Sequence, residues 1–128
     1  MASAQDRYVR VTQDADGEPA CVIHPVDWTV MPEAVGIPLA GVEQVAFEPW
    51  EHGRAHFVRI PAGASMPMHG NVEHVLCVVV AGEGRLALPS GEGVDYSAPE
   101  IMLFDPGVPH AWEAVTADTV LAVCLVEP

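Results

Sequence analysis

The chain has 128 residues, the length of one domain, and 50% of them are apolar, so it can bury a core and is not a disordered segment. The sequence contains eighteen acidic residues, five arginines and no lysine, and its formal net charge is -13. A surface of this sign repels phosphate backbones and anionic lipid headgroups, which argues against nucleic-acid and membrane partners. The absence of lysine excludes Schiff-base chemistry and a Walker-type phosphate loop.

The N-terminal stretch 1–10 is polar and has no hydrophobic signal core, and no segment approaches the roughly 20 apolar residues of a membrane span. We therefore expect a cytoplasmic protein that forms one domain over residues 1–128, with the first six residues frayed. The cysteines are an odd number at wide spacings, which fits neither a disulfide framework nor a zinc knuckle. Cys77 and Cys124 lie in apolar runs and are expected to act as small core residues.

Twelve prolines and eleven glycines are spread along the chain, which leaves little room for helix. Between them, short runs rich in β-branched and aromatic residues predict nine strands. In chain order these are Tyr8–Val11, Cys21–His24, Glu43–Phe47, Ala55–Ile60, Glu73–Val80, Gly84–Leu88, Ile101–Phe104, His110–Ala114 and Thr119–Val126. Turn signals lie at 16–17, 61–63, 82–84, 90–93 and 105–107. This spacing predicts an all-β fold, an antiparallel barrel or a two-sheet sandwich.

The stretch 27–41 has neither a helical nor a strand period, so we expect a long ordered connection packed on the barrel by Trp28 and Met31. The run Val75–Ala81 shows no polar alternation, which predicts that both faces of its strand are covered. Together with Thr119–Val126 it offers more apolar strand surface than one small barrel covers. We therefore expect a homodimer.

Two of the six histidines lie in sequence contexts that indicate a function. His69 ends the segment 61–69, six residues after Gly63, and a strand follows that ends at the glycines of 82–84. His110 comes directly after the turn sequence of 105–109. This pair of sequence contexts resembles the two motifs of the cupin superfamily, and the resemblance covers residues 60–126. It implies an antiparallel jelly-roll β-barrel with little helix.

The first motif of that family has a second histidine and a glutamate, which fall on Asn71 and Val75 when the chain is aligned without gaps. If the preceding hairpin is shorter and a residue near Ala81 is extra, His74 takes the glutamate position instead. Glu73 is the other candidate. Because adjacent residues of a strand point to opposite faces, His74 and Glu73 exclude each other unless a bulge intervenes.

The resemblance implies one divalent transition metal per chain, with iron as the first expectation and nickel, manganese or zinc as alternatives. Its ligands would be His69, His110 and His74, with Glu73 as the alternative third ligand. Imidazole and carboxylate donors on neighbouring strands suit these ions. The expected substrate pocket is formed by a further set of residues, namely His56, Met68, Phe104 and Trp112.

The first functional hypothesis is a metal-dependent enzyme that carries out dioxygenase-like oxidation of a small, fairly apolar substrate, because the ligand set is rich in histidine and poor in carboxylate. The segments 27–32 and 52–54 add a loose similarity to the anti-sigma-factor-type and acetylacetone-cleaving cupins. One alternative is a metal-assisted isomerase, lyase or cyclase of a biosynthetic pathway. The other is a metal-free binding or sensing module, which Asn71 and Val75 would allow. The sequence assigns no catalytic residue.

Overall fold

The computed structural model describes residues 7–128, so the predicted fraying of residues 1–6 lies outside the described part of the chain. The described residues form twelve strands and no α-helix. The strands are β1 (Arg7–Gln13), β2 (Pro19–Pro25), β3 (Thr29–Val30), β4 (Glu33–Ala34), β5 (Ile37–Pro38), β6 (Glu43–Ala46), β7 (Gly53–Ile60), β8 (Met66–His69), β9 (His74–Ala87), β10 (Gly93–Ser97), β11 (Glu100–Phe104) and β12 (His110–Val126).

Eight of these strands form one antiparallel sheet that folds over on itself. Its large wall contains β11, the first part of β9, the second part of β12, and then β7, β6 and β3. Its small wall contains β10, the remainder of β9, the first part of β12, and β8. The long strands β9 and β12 therefore belong to both walls. The predicted all-β jelly-roll barrel is confirmed.

The structure corrects the prediction of a turn at 82–84. The chain continues as strand through these residues, and Gly82 bends it at a φ of 99°. The predicted strands 73–80 and 84–88 are thus one strand, β9. The predicted strands 110–114 and 119–126 are likewise one strand, β12, whose pairing with β9 shifts register between Glu113 and Leu121.

Other differences concern short strands. The sequence pattern missed β8 and β10 because Pro67 interrupts the first and glycine opens the second. The stretch 27–41 contains three two-residue strands instead of none. It packs as expected, since Met31 contacts the core and Trp28 stacks on Phe57 with ring centroids 6.3 Å apart.

The core lies between the two walls. Along β7, Val58 and Ile60 point inward and are buried, whereas Arg59 lies on the outer face above the Trp28 ring. Cys77 is also buried, and burial raises the pKa of its thiol to about 12, so it is a small core residue as predicted. Cys124 differs, because it is only half-buried.

The hairpin of β1 and β2 lies outside the barrel sheet and packs on it through Tyr8, whose ring meets that of Phe47 edge-on at 4.7 Å. Arg10 in this hairpin adds an exposed ion pair with Glu48 at 2.9 Å. Over residues 7–128 we find no helix long and apolar enough to cross a membrane.

Candidate functional site

A cavity of about 420 Å³ lies between the two walls. This size is ordinary for a small-molecule site. Most of the lining is apolar and comes from both walls: Met31, Ala34, Val35, Ala46, Phe47, Pro49, Ala55, Val58, Met66, Val75, Cys77, Phe104, Trp112, Leu121, Val123 and Leu125. The polar lining residues are Glu33, Gln44, Arg54, His56, His69, Asn71 and His110.

His69 and His110 form a cross-strand pair on the small wall. They are direct partners in the pairing of β8 with β12, and their ring centroids are 4.8 Å apart. Both side chains line the cavity, and His110 is buried, with 4% of its surface exposed. The two histidines that the sequence motifs single out are therefore brought together.

A backbone carbonyl fixes the ring of each histidine. Nδ1 of His69 donates to the carbonyl of Pro67 at 2.7 Å, and Nδ1 of His110 donates to that of Val108 at 3.0 Å. In a neutral imidazole the other nitrogen, Nε2, is then the acceptor. Burial lowers the pKa of His110, and the neighbouring His69 lowers it further, against the raising effect of the Val108 carbonyl. In its neutral form, each ring of the pair therefore offers one hydrogen-bond acceptor, Nε2.

A bulge in β8 turns Met66 towards the cavity. Met66 pairs with Trp112 and His69 pairs with His110, so four residues of β8 span three of β12 and the register shifts. Met66 and His69 consequently share the inner face. The structure corrects the pocket prediction here, because Met66 lines the cavity and Met68 does not.

The structure does not bring either predicted third ligand to the histidine pair. His74 is exposed on the outer face of β9, while the next residue, Val75, is buried and lines the cavity. Glu73 accepts a salt bridge from Arg54 at 3.2 Å and is not part of the lining. The chain thus follows the ungapped alignment, and the shorter hairpin that would have placed His74 inward is absent.

Cupins often bind a metal ion, and the donors present decide whether this chain fits one. Within residues 7–128, no three histidine, cysteine, aspartate or glutamate side chains come close enough together to hold an ion. Catalytic zinc sites use three protein ligands with an open position, whereas here only His69 and His110 converge. Val75 offers no donor atom. The described residues therefore do not fit a metal ion held by three such side chains.

Aromatic rings extend the surface beside the histidine pair. The Phe104 ring lies 4.2 Å from that of His110 and is tilted by 32°. Trp112 lies 6.4 Å from Phe104 and packs edge-on against the buried Tyr96 at 5.3 Å. Phe104 and Trp112 both line the cavity, as the sequence analysis predicted. A flat apolar group can contact these rings while it reaches the imidazoles.

His56 lines the cavity from the large wall. It lies on β7 between Ala46 of β6 and Val123 of β12. Burial and the charge of Arg54 lower the pKa of His56 to about 4, although Glu73 acts in the opposite direction. His56 is therefore an uncharged imidazole at neutral pH, in the pocket where the sequence analysis expected it.

Four polar lining residues were absent from the predicted pocket: Glu33, Gln44, Arg54 and Asn71. Arg54 could have been found from the alternation of β7, because it shares the inner face with His56 and Val58. Asn71 stands at the second histidine position of the first motif, and position alone places it at the cavity. No sequence signal distinguishes Glu33 or Gln44.

The sequence profile of the cupin domain family matches residues 56–126. This segment is more than half of the chain and contains both histidine motifs. The chain therefore belongs to the cupin superfamily. No curated protein sequence matches it significantly.

Solved structures support the same fold. The polyketide cyclase RemF from Streptomyces resistomycificus is 16% identical, with a TM-score of 0.67 over 79% of this chain and 73% of that one. A predicted oxalate decarboxylase from Thermotoga maritima is 21% identical, with a TM-score of 0.60 over 68% of this chain and 81% of that one. An RmlC-like cupin from Shewanella frigidimarina is 16% identical, with a TM-score of 0.63 over 80% of this chain and 85% of that one. At these identities the similarity concerns the fold alone.

Proposed function

We propose that this cupin binds a small, uncharged, largely apolar molecule and holds a hydroxyl group of that molecule against His69 and His110. The proposal rests on the pairing of these two imidazoles. Their ring centroids are 4.8 Å apart, and their Nδ1 atoms already donate to backbone carbonyls. Their Nε2 atoms accept a hydrogen bond, so the complementary ligand group is a donor such as a phenol or an enol.

The charge and the shape of the cavity restrict the class of ligand that can bind. The one arginine in the cavity lining, Arg54, is paired with Glu73, and the net charge of -13 further disfavours anions. Two aromatic rings, Phe104 and Trp112, lie beside the histidines, while much of the remaining wall is aliphatic. An aromatic or similarly flat ring with one hydroxyl fits this combination.

The test uses 2-naphthol and naphthalene as probes, which differ by one hydroxyl group, with isothermal titration calorimetry as the measurement. We expect 2-naphthol to bind about tenfold more tightly than naphthalene, because only the phenol can donate a hydrogen bond to one of the two imidazoles. His110→Phe keeps the apolar bulk and should narrow the difference in affinity between the two probes. His74→Ala, on the exposed outer face, is the matched control and should change neither affinity. Equal binding of the two probes by the wild type would contradict the proposal.

Metal-dependent oxidation, the first hypothesis from the sequence, requires at least one donor beyond the histidine pair. Asn71 is the lining residue at the corresponding motif position, and its amide oxygen is a weak substitute for imidazole or carboxylate. Elemental analysis after expression in metal-supplemented medium discriminates between the two functions. We expect far less than one iron, nickel, manganese or zinc per chain. About one metal ion per chain in the wild type, lost in both His69→Ala and His110→Ala, would instead support the metal-dependent enzyme.

We also propose that a second copy of the chain covers the outer face of the large wall. Leu103 is 77% exposed and pairs with Leu76, while Ile101 is 71% exposed and pairs with Val78. Contiguous apolar surface of this kind marks protein interfaces. Light scattering should give a dimer for the wild type and a monomer for Leu103→Glu. Val94→Glu, at an exposed position on β10 of the small wall, should remain dimeric. A monomeric wild type at micromolar concentration would contradict this proposal.

A further inference from the structure

We infer that His56 binds a second polar group of the ligand, so that the ligand carries hydroxyl or carbonyl groups at two separated positions of an uncharged ring system. This inference rests on the proposed function, and it assigns a role to a histidine that lies outside both cupin motifs. It makes His56 a residue that determines specificity.

The first argument is the position of His56 relative to the histidine pair. His56 belongs to the large wall, where Val123 is its neighbour on β12, whereas His69 and His110 belong to the small wall. All three line the same cavity. Over residues 7–128 they do not form a cluster that could share one ion, so His56 is separated from the pair. The cavity therefore has two polar sites.

The second argument is that the ring of His56 is available. Within residues 7–128, the side chains of His69 and His110 make hydrogen bonds, and the side chain of His56 makes none. No fully buried side-chain nitrogen or oxygen in that range lacks a partner, so the ring nitrogens of His56 keep accessible surface, and His56 lines the cavity. A group in the cavity can bond to them.

The third argument concerns the kind of group that His56 selects. A neutral imidazole offers one N–H donor and one acceptor nitrogen. A hydroxyl can satisfy either nitrogen, and a carbonyl can accept from the N–H. The surroundings disfavour a charged imidazole, because His56 is desolvated and lies close to Arg54. A carboxylate would thus gain no ion pair from His56, and the guanidinium of Arg54 already faces Glu73.

The test compares 2-naphthol with 2,3-, 2,6- and 2,7-dihydroxynaphthalene by calorimetry. We expect the 2,6- or the 2,7-isomer to bind the wild type about tenfold more tightly than 2-naphthol, because its second hydroxyl reaches the other wall. The 2,3-isomer, with adjacent hydroxyls, should show no such gain. His56→Phe should abolish the gain, so that the 2,6- or the 2,7-isomer binds the variant no more tightly than 2-naphthol does. His56→Gln keeps an uncharged donor and acceptor and should restore part of it.

The outcomes separate this inference from the proposed function. If 2-naphthol binds and depends on His110, but neither isomer gains affinity or the gain survives in His56→Phe, then the role of His56 is wrong and the proposed function stands. If 2-naphthol does not bind the wild type, both are wrong. Measurable binding of 2-naphthol by the His56 variants also shows that they are folded.

Discussion

Replacement of Gly82 by alanine should destabilise the protein by about 3 kcal/mol or more, among the largest effects of a single methyl group. Gly82 has a φ of 99°, a conformation that side chains rarely adopt. A Cβ atom there would lie 2.5 Å from the carbonyl oxygen of Asp118 and 2.6 Å from Cα of Thr119. The collision involves backbone of β12, so a rotamer change cannot relieve it. Chemical denaturation gives the free energy of unfolding.

Gly91 provides the matched control. Its φ of 89° is similar, but a Cβ atom there would meet nothing within 4 Å. Gly91→Ala should therefore cost only the backbone strain, about 1 kcal/mol. The difference between the two variants measures the close approach of β9 to β12. Equal losses of stability in the two variants would show that β9 and β12 can move apart at Gly82 at little cost in free energy.

The role of Gly82 also explains where the sequence misled the fold prediction. Glycines at 82 and 84 between two apolar runs are typical of a turn, and the sequence analysis placed one there. In the structure Gly82 lets β9 pass from the large wall to the small wall against β12. Gly84 makes room for Tyr96, whose hydroxyl oxygen would lie 2.6 Å from an added Cβ atom. The sequence indicates that glycine is needed at these positions. Only the tertiary contacts show whether the reason is a turn or a close approach between strands.

The candidate site was predictable where it depends on motif order and unpredictable where it depends on strand register. His69 and His110 were found because each follows a turn at a fixed spacing, and turns keep their local chemistry in the fold. The orientation of His74 depends on whether one residue is inserted near Ala81, and a single-residue shift reverses the face of every side chain in a strand. The bulge of β8 that places Met66 on the same face as His69 is of the same kind. Neither shift leaves an unambiguous pattern in the sequence.

The stability of the protein should fall as the pH falls from about 6.5 to about 4, and His56 should account for about 2 kcal/mol of that loss. Its pKa is lowered from 6.5 to about 4 in the folded protein, mainly by burial and then by the charge of Arg54, with Glu73 opposing. Between the two values the unfolded chain binds a proton at this residue and the folded chain does not. Acid therefore favours the unfolded state in this range, and above about pH 6.5 the effect vanishes.

Comparison of the wild type with His56→Gln isolates this contribution, because the other titrating groups are common to both proteins. The free energy of unfolding, measured by chemical denaturation at about pH 7.5 and about pH 4.5, should drop by about 2 kcal/mol more in the wild type than in the variant. His110, whose pKa is also lowered, contributes in the same direction in both proteins and cancels in the comparison. An equal drop in the two would mean that His56 takes up a proton as readily in the folded state as in the unfolded state. The pH dependence of stability thus tests whether the fold holds His56 as an uncharged imidazole.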